Sequence, residues 1–283
     1  MTYVHHFVSG LWAFAVKQAW AALFGGLMLA ALVLTAYVPL PWLARYDWLF
    51  LAAIAIQAFM LLAKLERPYE VITIVTFHLT GLAMEIFKTA PAIASWSYPG
   101  PAFFKVAAVP LFSGFMYAAV GSYMARAWRV FRLTFSHYPY RPATALLALA
   151  IYTNFFTHHY TYDVRYILFA LILLIYGRVW VSYTINTVTR RMPLVVAFAL
   201  IAFFIWVAEN VGTYVKAWLY PGQLLAWHPV SLSKLGSWAL LMVISYILVD
   251  LLQYARRRYH LGLEAPPMPT PASLAYTGRK TRG

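Results

Sequence analysis

The sequence predicts an all-α membrane protein: a polytopic transmembrane helix bundle of about eight spans, built from two parallel four-helix repeats. Three observations lead to this prediction. Of the 283 residues, 63% are hydrophobic and only 11% are charged, whereas soluble domains have about 25% charged residues. The apolar residues form runs long enough to cross a bilayer, which takes about 20 residues. One unusual motif occurs twice, each time after the end of such a run.

Prolines and short polar stretches separate the apolar runs. The predicted spans are roughly 18–38, 46–64, 69–88, 105–125, 143–160, 165–185, 192–214 and 231–253. No basic residue precedes Lys17 and no small-residue cleavage site follows, so we interpret the first run as a span and not as a cleaved signal. Residues 1–258 are predicted to form one transmembrane domain with halves 1–141 and 142–258. Residues 259–283, rich in Pro, Thr and Arg, are predicted to be a disordered cytoplasmic tail.

The basic residues predict the orientation. With eight spans, both termini share one side, and sixteen Lys and Arg residues fall on that side against six on the other. Positive residues favour the cytoplasm, so both termini are predicted to be cytoplasmic. The net charge of +14 is thereby explained without nucleic acid as a partner. The absence of cysteine excludes disulfides, thiolate metal sites and cysteine nucleophiles.

The repeated motif combines an acidic residue with an aromatic loop. Glu85 is followed by W-x-Y-P-G at residues 96–100, and Glu209 by the same pattern at residues 218–222. An acidic residue within lipid-length apolar sequence is costly, so two in matching positions indicate a function. The two predicted helices lie four spans apart and run in the same direction, which predicts a parallel repeat about an axis along the membrane normal.

Most of the remaining polar residues gather on the predicted outer side. We expect Glu85, Glu209 and His78 to be catalytic, because desolvated carboxylates can act as general acids and His78 lies two turns from Glu85 on one helix face. The expected substrate-binding residues flank them: Trp96, Tyr98, Asn154, His158, His159, Asn210, Trp218 and Tyr220. Replacing either glutamate by Gln is predicted to abolish function and to leave the protein folded. Glu66 and Glu70 are interpreted as solvated loop residues that tolerate Gln.

Structural interpretations stand beside these. Glu85 and Lys88 have the i, i+3 spacing of an interfacial ion pair, the aromatic residues are typical of a membrane belt, and His158 and His159 are typical of an interface. A metal site is weakly indicated, since no dense motif such as HExxH is present, and no metal is predicted. Nor does the sequence contain a P-loop, a G-x-S-x-G elbow or a GxGxxG loop. The sequence does not reveal whether a cofactor binds, so the cofactor is unknown.

Several segments together resemble the YoaT-like family of bacterial integral membrane proteins, a domain of unknown function. They are His78–Glu85, Ser95–Pro99, Tyr152–Tyr160, Arg165–Tyr166, and Glu209 through Pro221. The resemblance covers nearly all of residues 10–255 and implies a bacterial integral membrane protein but no activity. The combination of a late helical Glu with an aromatic-Tyr-Pro loop is also similar to membrane carotenoid hydratases and lycopene cyclases, and no catalytic residue is carried over from them.

The sequence leaves three alternative functions open. The first is a membrane enzyme that carries out acid–base chemistry on an isoprenoid-like or other lipid, so that the expected partners are the lipid bilayer and a small apolar or amphipathic ligand. The second is a proton-coupled secondary transporter, which the parallel repeat favours. The third is a non-catalytic membrane sensor or assembly factor.

Overall fold

The computed structural model describes residues 2–258, and the predicted tail at 259–283 lies outside the described residues. This part of the chain is mostly helical. The α-helices are α1 (Thr2–Ala21), α2 (Leu23–Tyr37), α3 (Arg45–Leu62), α4 (Glu70–Thr89), α5 (Phe112–Val130), α6 (Arg141–Thr157), α7 (Arg165–Tyr176), α8 (Leu194–Tyr214) and α9 (Ser233–Arg258). They form a bundle in which α4 packs along α5, α8 along α9 and α2 along α3.

Several helices have the length and apolar composition of membrane spans. Within residues 2–258, four helices are long and apolar enough to cross a bilayer: α3, α4, α8 and α9. The number rises to five if α1 and α2 together count as one bent span. The other helices are shorter or more polar, so the eight-span count and the two four-helix repeats stay predictions.

The first predicted span is not one straight helix. The chain bends by 72° between α1 and α2, at Ala22, whose backbone leaves the helical region (φ −87°, ψ 13°). The buried guanidinium of Arg126 donates hydrogen bonds to the Trp20 carbonyl next to this break. An inserted side chain that satisfies freed carbonyls is a recognised cause of a sharp helix kink.

Two small antiparallel sheets correct the all-α prediction. Strands β1 (Lys105–Val106) and β2 (Val109–Pro110) form a hairpin before α5, while β3 (Thr134–Ser136), β4 (Trp180–Ile185) and β5 (Val188–Pro193) form a sheet in the order β3-β4-β5. The predicted span 165–185 therefore ends at Tyr176. Apart from Ser182, residues 180–185 are β-branched or aromatic, and the two-residue turn that follows has Asn186 at φ 53°, which is typical of a tight hairpin.

Different loops lie at the two ends of the bundle. One end, which we call the carboxylate end, carries loops 90–111 and 215–232, and the other, the basic end, carries loops 63–69, 131–140 and 177–193. Residues from all the helices α4 through α9 form a large apolar core. A smaller core at the carboxylate end contains Leu32, Tyr46, Leu49, Phe112 and Trp218.

Glu66 and Glu70 at the basic end are not solvated. Glu66 is 2% exposed and Glu70 is 3% exposed. Gln57 and Ser122 donate hydrogen bonds to Glu66, and Arg129 forms an ion pair with Glu70 at 3.2 Å. The interpretation of these residues as solvated loop acids was wrong, because Glu66 lies in a turn that packs against α5 and Glu70 is the first residue of α4.

Candidate functional site

Glu85 lies near the end of α4 with both carboxylate oxygens occupied. Its Oε2 accepts hydrogen bonds from Trp96 Nε1 and the Tyr98 hydroxyl, each at 2.7 Å, and its Oε1 accepts one from the Tyr117 hydroxyl at 2.8 Å. Burial, reinforced by the negative charge of Glu85, raises the pKa of Tyr98 well above its ordinary value. Tyr98 therefore stays protonated and acts as a donor.

Glu209, near the end of α8, is bound in the same way by the second loop, with one difference. Trp218 Nε1 and the Tyr220 hydroxyl both donate to Oε1, at 2.8 and 2.7 Å. Among the described residues, no hydrogen bond to Oε2 is formed. Burial and the adjacent carboxylate raise the pKa of Tyr220 above its ordinary value, so it too remains a donor. Glu209 thus keeps one oxygen available, whereas Glu85 does not.

The two loops contact each other directly. Ser97 and Leu219 form an antiparallel bridge, in which each N–H donates to the other's carbonyl at 2.9 Å. The rings of Trp96 and Tyr220 meet edge to face with centroids 6.2 Å apart. The Tyr46 hydroxyl accepts a hydrogen bond from the Gly100 N–H and donates one to the Ala217 carbonyl. The repeated segments therefore form one unit at the carboxylate end.

A cavity of about 940 Å³ begins at this unit and extends toward the basic end between α2, α5 and α8. Glu85, Glu209 and the four motif aromatics line its polar part, and small and apolar side chains of α1, α2 and α8 line the rest. Its size is at the upper end of the roughly 300–1,000 Å³ typical of ligand pockets. Gly26 on α2 and Leu200 and Phe204 on α8 line it and are exposed, so the cavity opens sideways between these helices.

Basic and imidazole groups surround the polar part of the cavity: Lys88, His158, His159, Arg165 and Lys234. The Lys88 ammonium donates to His159 Nε2 at 2.6 Å, so Lys88 does not form the ion pair with Glu85 that was the alternative interpretation of their spacing. Arg165 pairs with Asp163 at 2.6 Å. Burial would raise the pKa of Asp163, but hydrogen bonds from Arg165 and Asn154 outweigh it and lower the pKa.

The side chains of both predicted asparagines accept hydrogen bonds from backbone N–H groups of nearby loops. Asn154 accepts from the Val164 N–H at 3.1 Å, and its carbonyl contacts His158 Nδ1 at 2.9 Å. Asn210 accepts from the Val230 N–H at 2.9 Å and donates to the carbonyl of its own helix at Trp206. These residues shape the loops around the cavity, but neither of them lines it.

His78 lies away from the cavity. It shares a face of α4 with Glu85, but seven residues correspond to about 10 Å along a helix, and the cavity reaches α4 only from Met84 to Lys88. The imidazole packs against the Phe115 ring at 4.4 Å and over Gly114 of α5. The spacing predicted the correct face but not the depth, so the structure does not support His78 as a catalytic residue.

Most of the chain resembles known proteins of unknown function. Residues 10–246 match the family described as Protein of unknown function (DUF817). The chain belongs to this family. The Uncharacterized protein YoaT of Bacillus subtilis (strain 168) is 43% identical over 245 residues, which are 87% of this chain and 92% of that relative. No solved structure gives a significant match. The predicted YoaT-like resemblance is confirmed, and it brings no activity with it.

The sequence did not single out three residues of this DUF817 site. Tyr117 is the third donor to Glu85, Tyr46 joins both motif loops, and Lys234 places its ammonium 4.7 Å from the Tyr220 ring centroid. A tyrosine within an apolar helix is indistinguishable from a core residue by pattern alone. Lys234 carries a signal, since it is one of few basic residues on the predicted outer side. No group of three or more metal-binding side chains occurs within the described range.

Gly212 on α8 contacts the Trp218 ring so closely that a Cβ there would overlap it. We expect Gly212→Ala to displace the indole from Glu209 and to reduce the free energy of unfolding by about 1–3 kcal/mol. Thermal unfolding in detergent measures the change. Gly236→Ala on α9 is the control, because its Cβ would lie 3.5 Å from Phe169. Equal melting temperatures of both variants would contradict the tight packing described.

His159 is expected to titrate near pH 4 and not near its ordinary value of about 6.5. Partial burial, together with the nearby charge of Lys88 and with His158 and Lys234, lowers its pKa to about 4. The unfolded chain binds this proton more readily, so the contribution of His159 to stability is complete above about pH 6.5 and is lost as the pH falls toward 4. An NMR titration of the ring protons tests this. Lys88→Gln should raise the His159 pKa, and an unchanged value would be inconsistent with it.

Proposed function

We propose that this protein binds an amphipathic, lipid-like molecule inside the membrane and transfers a proton to or from it through Glu209. The observation that carries the proposal is the cavity of about 940 Å³. One part of this cavity is apolar, and the other is lined by Glu85, Glu209 and the aromatic residues of the two W-x-Y-P-G loops. A largely apolar pocket with a few converging polar groups is the usual form of a small-molecule site. The sideways opening between α2 and α8 supports entry of the ligand from the bilayer.

Glu209 is better suited than Glu85 to proton transfer. Its Oε2 is free of described hydrogen-bond donors, while Trp218 and Tyr220 hold the other oxygen and fix the carboxylate. A general acid or base must lie within hydrogen-bond reach of its substrate, and Glu209 lines the cavity. Glu85 is engaged by three donors, so we assign it a positioning role for the loop that carries Trp96 and Tyr98.

Co-purification tests the binding part of the proposal. Protein isolated in a neutral detergent is extracted with organic solvent, and the lipids are identified by mass spectrometry. A Cβ at Gly26 meets open space, so Gly26→Trp is expected to fill the cavity and remove the bound species. Ala55→Trp, on an exposed position of α3 outside the cavity lining, should retain it. Retention by both variants, or no enriched lipid in the wild type, would reject a lipid ligand.

A proton-coupled transporter is the second candidate. The specific observation in its favour is the same unoccupied oxygen of Glu209, because a buried carboxylate that faces a cavity can carry a proton between two states of a transporter. Lipid and metabolite profiling of a deletion strain separates the two. An altered lipid or pigment restored by the wild-type chain supports the enzyme, and altered uptake with unchanged lipids supports the transporter.

We further propose that both termini lie in the cytoplasm of a bacterial inner membrane, with the carboxylate end outside. The excess of Lys and Arg in the loops of the basic end supports this orientation. Reporter fusions after Arg141 and Arg258 should give cytoplasmic signals, and a fusion after Pro99 an external one. An external C-terminus would reverse the assignment.

A further inference from the structure

Lys88 is a buried cation that forms no ion pair with an acidic side chain in the part of the chain that the structure describes. It is 3% exposed, and its Nζ lies 2.6 Å from His159 Nε2 and 4.1 Å from the Phe155 ring centroid. The ion pairs within 4.0 Å among residues 2–258 are Arg129–Glu70, Arg141–Asp250 and Arg165–Asp163. A neutral imidazole and an aromatic face compensate a buried ammonium only in part. Asp163 attracts Lys88 from a greater distance, but among the described residues no carboxylate forms an ion pair with Lys88 within 4.0 Å.

A second ammonium faces the same space. Lys234 lines the cavity with Lys88, and the two charges are near enough to repel each other. Glu209 attracts Lys234 but forms no ion pair with it within 4.0 Å in the described residues. Glu85 has its two oxygens occupied by neutral donors. The polar part of the cavity therefore carries two converging cations that its carboxylates do not neutralise by direct contact.

We propose that an anionic headgroup, a phosphate or a carboxylate, binds between Lys88 and Lys234 while the hydrocarbon of the same molecule fills the apolar part of the cavity. This inference rests on the proposed function, because it specifies the class of amphipathic ligand. An oxyanion accepts charge-assisted hydrogen bonds from ammonium groups, which are about twice as strong as neutral ones. Bound there, the headgroup supplies a counter-charge in direct contact with both ammonium groups, beside the free oxygen of Glu209.

Binding of three matched amphiphiles tests the proposal: dodecyl phosphate, laurate and neutral monolaurin. The full chain is placed in nanodiscs of neutral lipid, and dissociation constants are measured by competition against a fluorescent fatty amphiphile. We expect at least one anion to bind about tenfold more tightly than monolaurin. Lys88→Gln retains a donor for His159 and should remove about tenfold of anion affinity without changing that for monolaurin. Lys234→Gln should act in the same direction.

Lys105→Gln is the matched control, since Lys105 is an exposed lysine at the same end and does not line the cavity. It should leave all three affinities unchanged. If Lys88→Gln does not fold, Lys234→Gln and the salt dependence of wild-type binding still decide, because salt weakens only the ionic contribution. Equal affinity for neutral and anionic amphiphiles overturns the inference and leaves the proposed function intact. Binding of all three that is unaffected by Gly26→Trp overturns both.

Discussion

Glu209→Gln is expected to abolish function and to leave the fold unchanged. Both Trp218 and Tyr220 donate to the same oxygen, Oε1, so the Gln carbonyl can accept both hydrogen bonds and its NH₂ group takes the open position of Oε2. The variant loses only the ionisable oxygen. Because general acid–base catalysis contributes about 10²–10⁴-fold, we expect at least a hundredfold loss in complementation of the deletion strain, with an unchanged melting temperature.

Glu85→Gln is the matched comparison, and here the structure changes what the sequence predicted. Its two oxygens accept from donors on opposite sides, Trp96 and Tyr98 on one and Tyr117 on the other. A Gln side chain leaves at least one buried donor without an acceptor, which costs about 1–3 kcal/mol. We expect a lower melting temperature, where the sequence predicted an intact fold. If Glu85→Gln melts like the wild type and Glu209→Gln does not, the roles assigned to the two carboxylates are reversed.

Arg126→Met is expected to be the most destabilising single substitution considered. The side chain is 1% exposed and its guanidinium donates to the carbonyls of Trp20 and Leu65. It also attracts Glu66 and Glu70. Removing one partner of a buried charged network typically costs about 3–5 kcal/mol, and this change also leaves the carbonyl at the helix break unsatisfied.

Thermal unfolding in a neutral detergent measures the loss. Arg178→Met is the control, because Arg178 is an exposed arginine in a loop of the same end. Arg126→Lys should be intermediate, since lysine keeps the charge but lacks the planar fork that reaches several carbonyls. If Arg126→Met and Arg178→Met unfold at the same temperature, Arg126 does not hold the break between α1 and α2 in place.

The sequence predicted the parts of this site whose signals are local. The W-x-Y-P-G repeat identified Glu85 and Glu209 and their aromatic neighbours, because an acidic residue in an apolar run is conspicuous by composition alone. Depth and direction are not local signals. His78 has the correct face but the wrong depth, and Lys88 has the correct spacing for Glu85 but contacts His159. Such outcomes depend on which helix packs against which side chain.

For the fold as well, the features with local sequence signals were predicted and those that depend on distant residues were not. Apolar length predicted most of the helices, yet it placed residues 180–185 in a span, whereas they pair with β5. The break at Ala22 was also beyond prediction, since the residue that stabilises it, Arg126, lies 104 positions further along the chain. Glu66 and Glu70 were misplaced for the same reason: their partners come from α3 and α5, and the composition of a loop does not reveal them.

If the proposed ligand enters through the sideways opening between α2 and α8, its concentration in the bilayer sets the occupied fraction of the cavity. A molecule that enters from the bilayer is supplied according to its abundance among the surrounding lipids, and its solubility in water hardly matters. Even weak intrinsic affinity then keeps the cavity filled when the ligand is common in the membrane. A change in lipid composition would alter the occupied fraction directly. The protein would respond to the makeup of its own bilayer, with the membrane acting as the reservoir.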